Sequence, residues 1–139
     1  MKERSLVLVK PDAVERGLSG AIIGRLEQAG LKLKALKMLH MDKALAERHY
    51  AVHIGKPFFN SLVSYITSGP IVALVLEGEG AVERIRKIMG ATDPAKAEMG
   101  TIRRDFGLSM ERNATHASDS LENAEKEISL FFTRKEIVG

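Results

Sequence analysis

Two short runs without a polar residue, Leu6-Val7-Leu8-Val9 and Ile71-Val72-Ala73-Leu74-Val75-Leu76, constrain the fold of this chain more than any other feature. Lys10-Pro11-Asp12 stops the first run. Ser68-Gly69-Pro70 precedes the second and Glu77-Gly78-Glu79-Gly80 turns the chain after it. This is the pattern of short buried strands entering loops. With 139 residues, 45% of them apolar, the chain can bury one sizeable core around such strands, which predicts a single domain over residues 1–139.

Other segments follow the helical period. Ser19-Gly20 opens a helix whose apolar positions Ile22, Ile23, Leu26 and Ala29 keep the 3.6-residue spacing, and Gly30 closes it. Leu31 to Ala35 alternates as a half-exposed strand, and Leu36, Met38 and His40 then shift its phase, which predicts a bulge or strong twist near Ala35. Asp42 is a good N-cap for a helix over Lys43–Val52, a short helix follows over Asn60–Thr67, and Val82, Ile85, Ile88 and Met89 mark another that ends at Gly90. Arg84, Arg86 and Lys87 fall on the polar side of that last helix, where a solvated role is the ordinary one. From Ala91 to Arg112 no period is visible for 22 residues, a length that points to a functional loop rather than a linker. A short strand near Asn113 and a helix over Leu121–Phe132 complete the chain. With extra helices set aside, the order is βαββαβ, the ferredoxin-like α+β arrangement: a four-stranded antiparallel sheet with helices packed on one face.

Composition excludes several classes of function. There is no cysteine, hence no disulfide, thiolate nucleophile or cysteine-based metal site. No apolar run approaches the ~18 residues of a membrane helix, and Met1-Lys2-Glu3-Arg4 leads into a strand rather than a signal-peptide core, so a cytoplasmic protein is expected. The net charge of +3 suits an anionic ligand without requiring nucleic acid. No Gly-x-x-x-x-Gly-Lys-Ser/Thr, no Gly-x-Gly-x-x-Gly after the first strand and no Gly-x-Ser-x-Gly is present, which disfavours Walker-type ATPases, dinucleotide enzymes and serine hydrolases. His49-x-x-x-His53 has helical metal spacing but lacks the glutamate of a His-Glu-x-x-His motif, so these read as surface or core histidines and no protein metal site is expected.

The residues that carry chemistry gather near the C-terminus. In Asn113-Ala114-Thr115-His116-Ala117-Ser118-Asp119-Ser120, any of Ser118, Asp119 and Ser120 can cap the final helix, and Asp119-x-x-Glu122 reads as a capping box. His116 would then stand beside free N–H groups that favour an anion, placed either to meet a phosphate or to carry one. The alternative is a hydrogen-bonded loop histidine. Lys10 ends the first strand as a solvated lysine or as one pointing into a site at the sheet's edge. Tyr50 lends its hydroxyl to a site or is buried core. Phe59 can pack in the core with Phe58 as a stacking surface, or both can pack beneath a loop.

Over essentially its whole length the chain resembles the nucleoside diphosphate kinases. The resemblance rests on Lys10-Pro11-Asp12, Arg16-Gly17-Leu18, His49-Tyr50, Lys56-Pro57-Phe58-Phe59, Ser68-Gly69-Pro70, Gly90-Ala91-Thr92-Asp93-Pro94, Gly100-Thr101-Ile102-Arg103, Asn113-x-x-His116-x-Ser118-Asp119-Ser120 and Ala124-Glu125-Lys126-Glu127-Ile128, in family order. It implies reversible transfer of a γ-phosphoryl group between nucleoside triphosphates and diphosphates, ribo and deoxyribo, by a ping-pong route that maintains triphosphate pools. His116 would be the nucleophile, phosphorylated on Nδ1, with Ser118 and Glu127 orienting it and Lys10 and Tyr50 beside it. Arg86, Thr92 and Arg103 would hold phosphates, Lys10 and Asn113 the sugar hydroxyls, and Phe58 the base by stacking. Mg²⁺ would be carried mainly by the nucleotide phosphates. A tetramer or hexamer of identical chains is implied.

Two positions depart from the family pattern. Ala117 stands where a glycine is usual, adding a methyl group beside the site. Arg104 follows the matched arginine and opens the question of which of the two meets phosphate; Arg103 keeps the position after Thr101-Ile102. The competing readings are a ferredoxin-like RNA-binding module, against which the two apolar runs contain no aromatic residue for stacking, and a phosphohistidine carrier or protein histidine kinase, which would not need Phe58, Thr92 and Asn113.

Overall fold

The structure, a computed structural model, describes residues 2–139, and Met1 lies outside them. Four strands, β1 (Lys2–Val9), β2 (Lys32–Leu39), β3 (Ile71–Glu79) and β4 (Thr115–Ala117), form one antiparallel sheet in the order β2-β3-β1-β4. The helices are α1 (Pro11–Glu15), α2 (Ser19–Gln28), α3 (Lys43–His49), α4 (Phe59–Ile66), α5 (Ala81–Met89), α6 (Ile102–Phe106) and α7 (Leu121–Phe131). The ferredoxin-like order expected from the sequence is therefore present.

The apolar runs form the two central strands, and their alternation divides the core in two. Val7, Val9, Val72, Leu74 and Leu76 point to one face and pack with Ile22 and Leu26 of α2 and Ile85 and Met89 of α5. Leu6, Leu8, Ala73 and Val75 point to the other and pack with Ala46 of α3, Val63 and Ile66 of α4, and Phe131 of α7. Helices thus cover both faces rather than one. Coverage on both sides is why β1 and β3 tolerate no polar interruption at their centres, and it leaves no open face of the kind an RNA-binding sheet presents.

Several boundaries differ from the sequence expectation. Glu77-Gly78-Glu79 is the end of β3 rather than a turn. It pairs with Lys2-Glu3-Arg4, with Arg4 opposite Glu77 in register and its Nε 2.9 Å from the Glu77 carboxylate. Opposite charges across the ladder extend both strands past their apolar parts, and the turn falls at Gly80, whose φ is +58°. The bulge in β2 lies between Leu33 and Ala35, as its phase shift predicts. The helix expected over Lys43–Val52 stops at His49. The chain tightens there into a 3₁₀ turn over Ala51–His53, closed by a 2.8 Å bond from the His53 N–H to the Tyr50 carbonyl.

The aperiodic stretch Ala91–Arg112 is ordered. A 3₁₀ turn over Pro94–Lys96 is capped by the Asp93 side chain, and α6 is capped by Thr101 Oγ1 and anchored by fully buried Ile102. Elements of three and five residues are shorter than the window over which a helical period can be read. The same limit hid α1, which begins on Pro11, a residue suited to a first helical turn. Among the described residues, no helix is long and apolar enough to cross a membrane.

Candidate functional site

β4 is three residues long, and its pairing with β1 decides where His116 points. Thr115 lies opposite Val9, His116 opposite Leu8 and Ala117 opposite Val7. Residues opposite one another share a face. Thr115 and Ala117 therefore turn toward α5, and the Thr115 hydroxyl lies 2.8 Å from Met89 Sδ. His116 turns the other way, toward α3 and α7. The cap of α7 is Ser120, which accepts from the Asn123 N–H, so the Asp119–Glu122 capping box does not form and His116 sits four residues ahead of the cap. Its ring is held from the second turn of α7: Nε2 is 2.8 Å from Glu127 Oε1, and the buried Ser118 hydroxyl donates to the same oxygen at 2.9 Å. Because a carboxylate accepts, Nε2 carries the ring proton and Nδ1 is left with its lone pair.

His116 opens into a cavity of about 550 Å³. Lys10, Tyr50, Arg86, Thr92, Arg103, Asn113 and Glu127 also line it, so the structure brings together residues separated by more than a hundred positions. Lys10 is buried, resolving the choice left by its place at a strand end. Its Nζ donates to Asn113 Oδ1 at 2.9 Å and to the Glu111 carbonyl at 3.4 Å, and Asn113 Nδ2 donates to the Thr92 carbonyl at 3.0 Å. One chain of hydrogen bonds thus joins β1, the long loop and the approach to β4. Tyr50 is both core and cavity wall, and burial together with the Glu111 and Glu127 carboxylates raises its phenol pKa.

The electrostatics favour an anion. Burial and the nearby Arg103 guanidinium push Lys10 down from 10.5 to about 8, against the opposing pull of Asp12 and Glu111. Burial and Arg86 push Arg103 down to about 10. Cations that destabilise one another in a partly dry cavity are relieved by a polyanion. Arg103 donates to the carbonyls of Gly90 and Thr115 at 3.1 and 3.0 Å, while Arg104 turns away to the Ala95 carbonyl, so Arg103 is the arginine that faces the cavity. Glycine at position 90 matters for this arrangement: φ is +87°, and a Cβ there would lie 2.5 Å from Thr101 Oγ1.

Phe58 and Ser118 do not line the cavity itself. Ser118 acts on it through Glu127. Phe58 is 45% exposed beside the mouth, with its ring centroid 5.2 Å from that of His53, while Phe59 packs against the core, which is the division the sequence allowed. Ala117 adopts ordinary strand geometry in β4, so a non-glycine residue sits there without backbone strain.

His49 and His53, read from the sequence as surface or core histidines, both line the cavity. The His49 ring meets the His116 ring edge to face at 4.7 Å, both its nitrogens are shielded from solvent without a partner, and burial with the positive neighbours holds its pKa well below the usual value. Met110 was also missed. The i,i+4 spacing flagged the histidine pair but could not say which cavity the face would meet, and nothing in the local sequence marks Met110.

Comparison with known proteins adds an independent line. The family model for "Nucleoside diphosphate kinase" matches residues 3–137. A nucleoside diphosphate kinase of Dehalococcoides mccartyi is 63% identical over 137 residues, covering 99% of this chain and 96% of that protein. One from Archaeoglobus fulgidus is 60% identical, covering 99% and 91%. Among solved structures, the Aquifex aeolicus nucleoside diphosphate kinase superposes with a TM-score of 0.97 at 47% identity, covering 99% of this chain and all of that one. The Halobacterium salinarum enzyme in complex with CDP gives 0.97 at 49%, covering 100% and 93%.

The buried position of Lys10 generates a stability prediction. Between about pH 8 and 10.5 the unfolded chain holds a proton on Lys10 that the folded chain has released, so unfolding free energy rises with pH across that window. Relative to Lys10→Met, the wild-type protein should gain on the order of 3 kcal/mol over this range, from about 1.36 kcal/mol per pKa unit. Urea unfolding of both proteins at pH 7.5, 9 and 10.5 measures the difference; parallel curves would mean that Lys10 titrates as an exposed lysine.

Proposed function

Since the chain belongs to the nucleoside diphosphate kinase family, and is a phosphotransferase of that kind, we propose that it works by a ping-pong mechanism through phosphohistidine at His116. The observation that carries this reading is the orientation of His116: Nε2 is tied to Glu127 in a cavity whose wall gathers Lys10, Arg86 and Arg103. In the first half-reaction Nδ1 attacks the γ-phosphorus, a nitrogen–phosphorus bond forms, and the bond to the β-phosphate oxygen breaks with its electron pair leaving on the diphosphate. In the second, an acceptor diphosphate takes the group by the reverse path, and one site serves both nucleotides in turn. Glu127 stabilises the positive charge that develops on the ring, and Ser118 holds Glu127 in place.

Catalysis of such a transfer is chiefly positioning and charge neutralisation. We assign the phosphates to Arg86, Thr92 and Arg103, the sugar to Lys10 and Asn113, and the base to Phe58. The CDP carried by the Halobacterium salinarum relative supports a nucleotide in this cavity. The donor set bears on Mg²⁺ as well: basic residues outnumber the lining carboxylates Asp119 and Glu127, and Glu127 is engaged with His116 and Ser118. This suits a cation carried by the phosphates rather than by a protein cage, and the ion supplies further neutralisation of the polyphosphate charge. No base-edge contact is invoked, so broad base specificity follows. We further propose a homo-oligomer, supported by Leu36 (51% exposed) and Met38 (62% exposed) on edge strand β2.

Four outcomes test this reading. Incubation with γ-labelled ATP should leave acid-labile label on the wild-type protein, discharged by any mixture of diphosphates, and none on folded His116→Ala; label persisting in that variant would move the chemistry elsewhere. Phe58→Ala should raise KM for ATP, GTP, CTP and UTP alike by about tenfold, from roughly 1–3 kcal/mol of stacking, with kcat nearly constant. Arg103→Ala should instead lower kcat, and an effect of Phe58→Ala on one base alone would remove the stacking role. Light scattering at micromolar concentration should give a multiple of 15.3 kDa, and a monomer would remove the oligomer.

A further inference from the structure

Ala114 stands between Asn113 and the strand that carries His116, and it is the one non-glycine among the described residues with a left-handed backbone, φ +75°. A side chain disfavours that conformation, which persists where surrounding contacts over-determine it. Ala114 is fully buried, and both of its backbone polar groups are held by the Lys10-Pro11-Asp12 turn. Its carbonyl accepts from the Lys10 N–H at 2.8 Å, and its own N–H donates to Asp12 Oδ2 at 3.2 Å.

Asp12 is held in turn by Tyr65. The Tyr65 phenol donates to Asp12 Oδ1, and the phenol oxygen accepts from the Asp12 N–H at 2.8 Å. Burial and the Asp12 carboxylate raise the Tyr65 pKa, so the phenol remains a donor through the working pH range. Neither Asp12 nor Tyr65 lines the cavity, and the mechanism above uses neither. Tyr65 belongs to α4, which starts directly after Phe58, and Ser61 of the same helix donates to the Glu111 carboxylate. Helix α4 is thus tied twice to the segment that leads into β4.

We propose that Asp12 and Tyr65 are positioning residues for phosphoryl transfer, which hold Ala114 in its left-handed conformation and thereby set Asn113 against His116. The kink lets Asn113 and His116, three positions apart, serve different partners. Asn113 meets Lys10 and Thr92, while His116 faces Glu127. Without the clamp Ala114 relaxes toward an ordinary backbone, and the bound sugar turns relative to Nδ1. Arg86, assigned to the phosphates, is carried by α5 rather than by this segment, while Arg103 donates to the Thr115 carbonyl within it.

The inference rests on His116 as the nucleophile, and one set of variants separates the two readings. Wild type, Tyr65→Phe, Ala114→Gly and the double variant are mixed with labelled ATP, and the phosphorylation of His116 is timed at 25 °C on protein shown by circular dichroism to be folded. Tyr65→Phe should be about tenfold slower in the transfer step, with KM for the nucleotide within about threefold of wild type. Glycine adopts positive φ without strain, so the double variant should recover to within about threefold of wild type, and Ala114→Gly alone should match it. A role in stability alone would lower the melting point of Tyr65→Phe but leave the rate of folded protein unchanged. That result overturns the proposal, as does a double variant no faster than Tyr65→Phe. If wild-type His116 takes no label, the reading of the site fails and the positioning role falls with it.

Discussion

The three-residue pairing of β4 with β1 is the contact on which the site depends. Leu8 opposite His116 sends the imidazole to the side of the sheet covered by α3 and α7, and a slip of one residue would send it into the packed side beneath α5. So short a ladder has little stability of its own. It is reinforced by the Ser118 N–H on the Leu6 carbonyl at one end and by the Lys10 N–H on the Ala114 carbonyl at the other. β1 is rigid because it is buried on both faces between β3 and β4. The chemistry is therefore held at the edge of the best-packed element of the molecule.

Around that strand the protein places groups that disfavour one another. Lys10 is buried and Arg103 half-buried, both shift down in pKa, Arg86 adds to the strain on Arg103, and His49 presents two unpartnered nitrogens against His116. Such an arrangement opposes folding and favours a polyanionic ligand, so part of the stability given up is regained on binding. Phe58 contrasts with these residues: it is exposed, lies outside the cavity wall and needs no fixed charge, which suits contact with a base whose identity is not read.

Much of the architecture was legible in the sequence because it follows from patterns with a period. The apolar runs are β1 and β3, the amphipathic helices α2, α5 and α7 lie close to where their spacing puts them, and the bulge in β2 falls where the phase shifts. Elements shorter than the window over which a period can be read were not legible. α1 was missed for that reason, and so were α6 and the turn over Pro94–Lys96, which give the aperiodic loop its order. The extension of β3 through Glu77-Gly78-Glu79 was misread as a turn because cross-strand charge pairing with Lys2 to Arg4 is a long-range effect with no local signature.

By itself the sequence determined the strands, the helix faces, the family resemblance and, through that resemblance, several of the residues that line the cavity, Lys10, Asn113 and His116 among them. These are properties of neighbouring residues, of spacing, or of order along the chain. Only the tertiary structure decided that Lys10 is buried, that Arg103 rather than Arg104 faces the cavity, that His49 and His53 belong to its wall, and that Ala114 is clamped by Asp12 and Tyr65. Each of these depends on contacts between residues far apart in the chain. Burial, pKa and backbone strain arise from what surrounds a residue in space, and the chain alone does not state its surroundings.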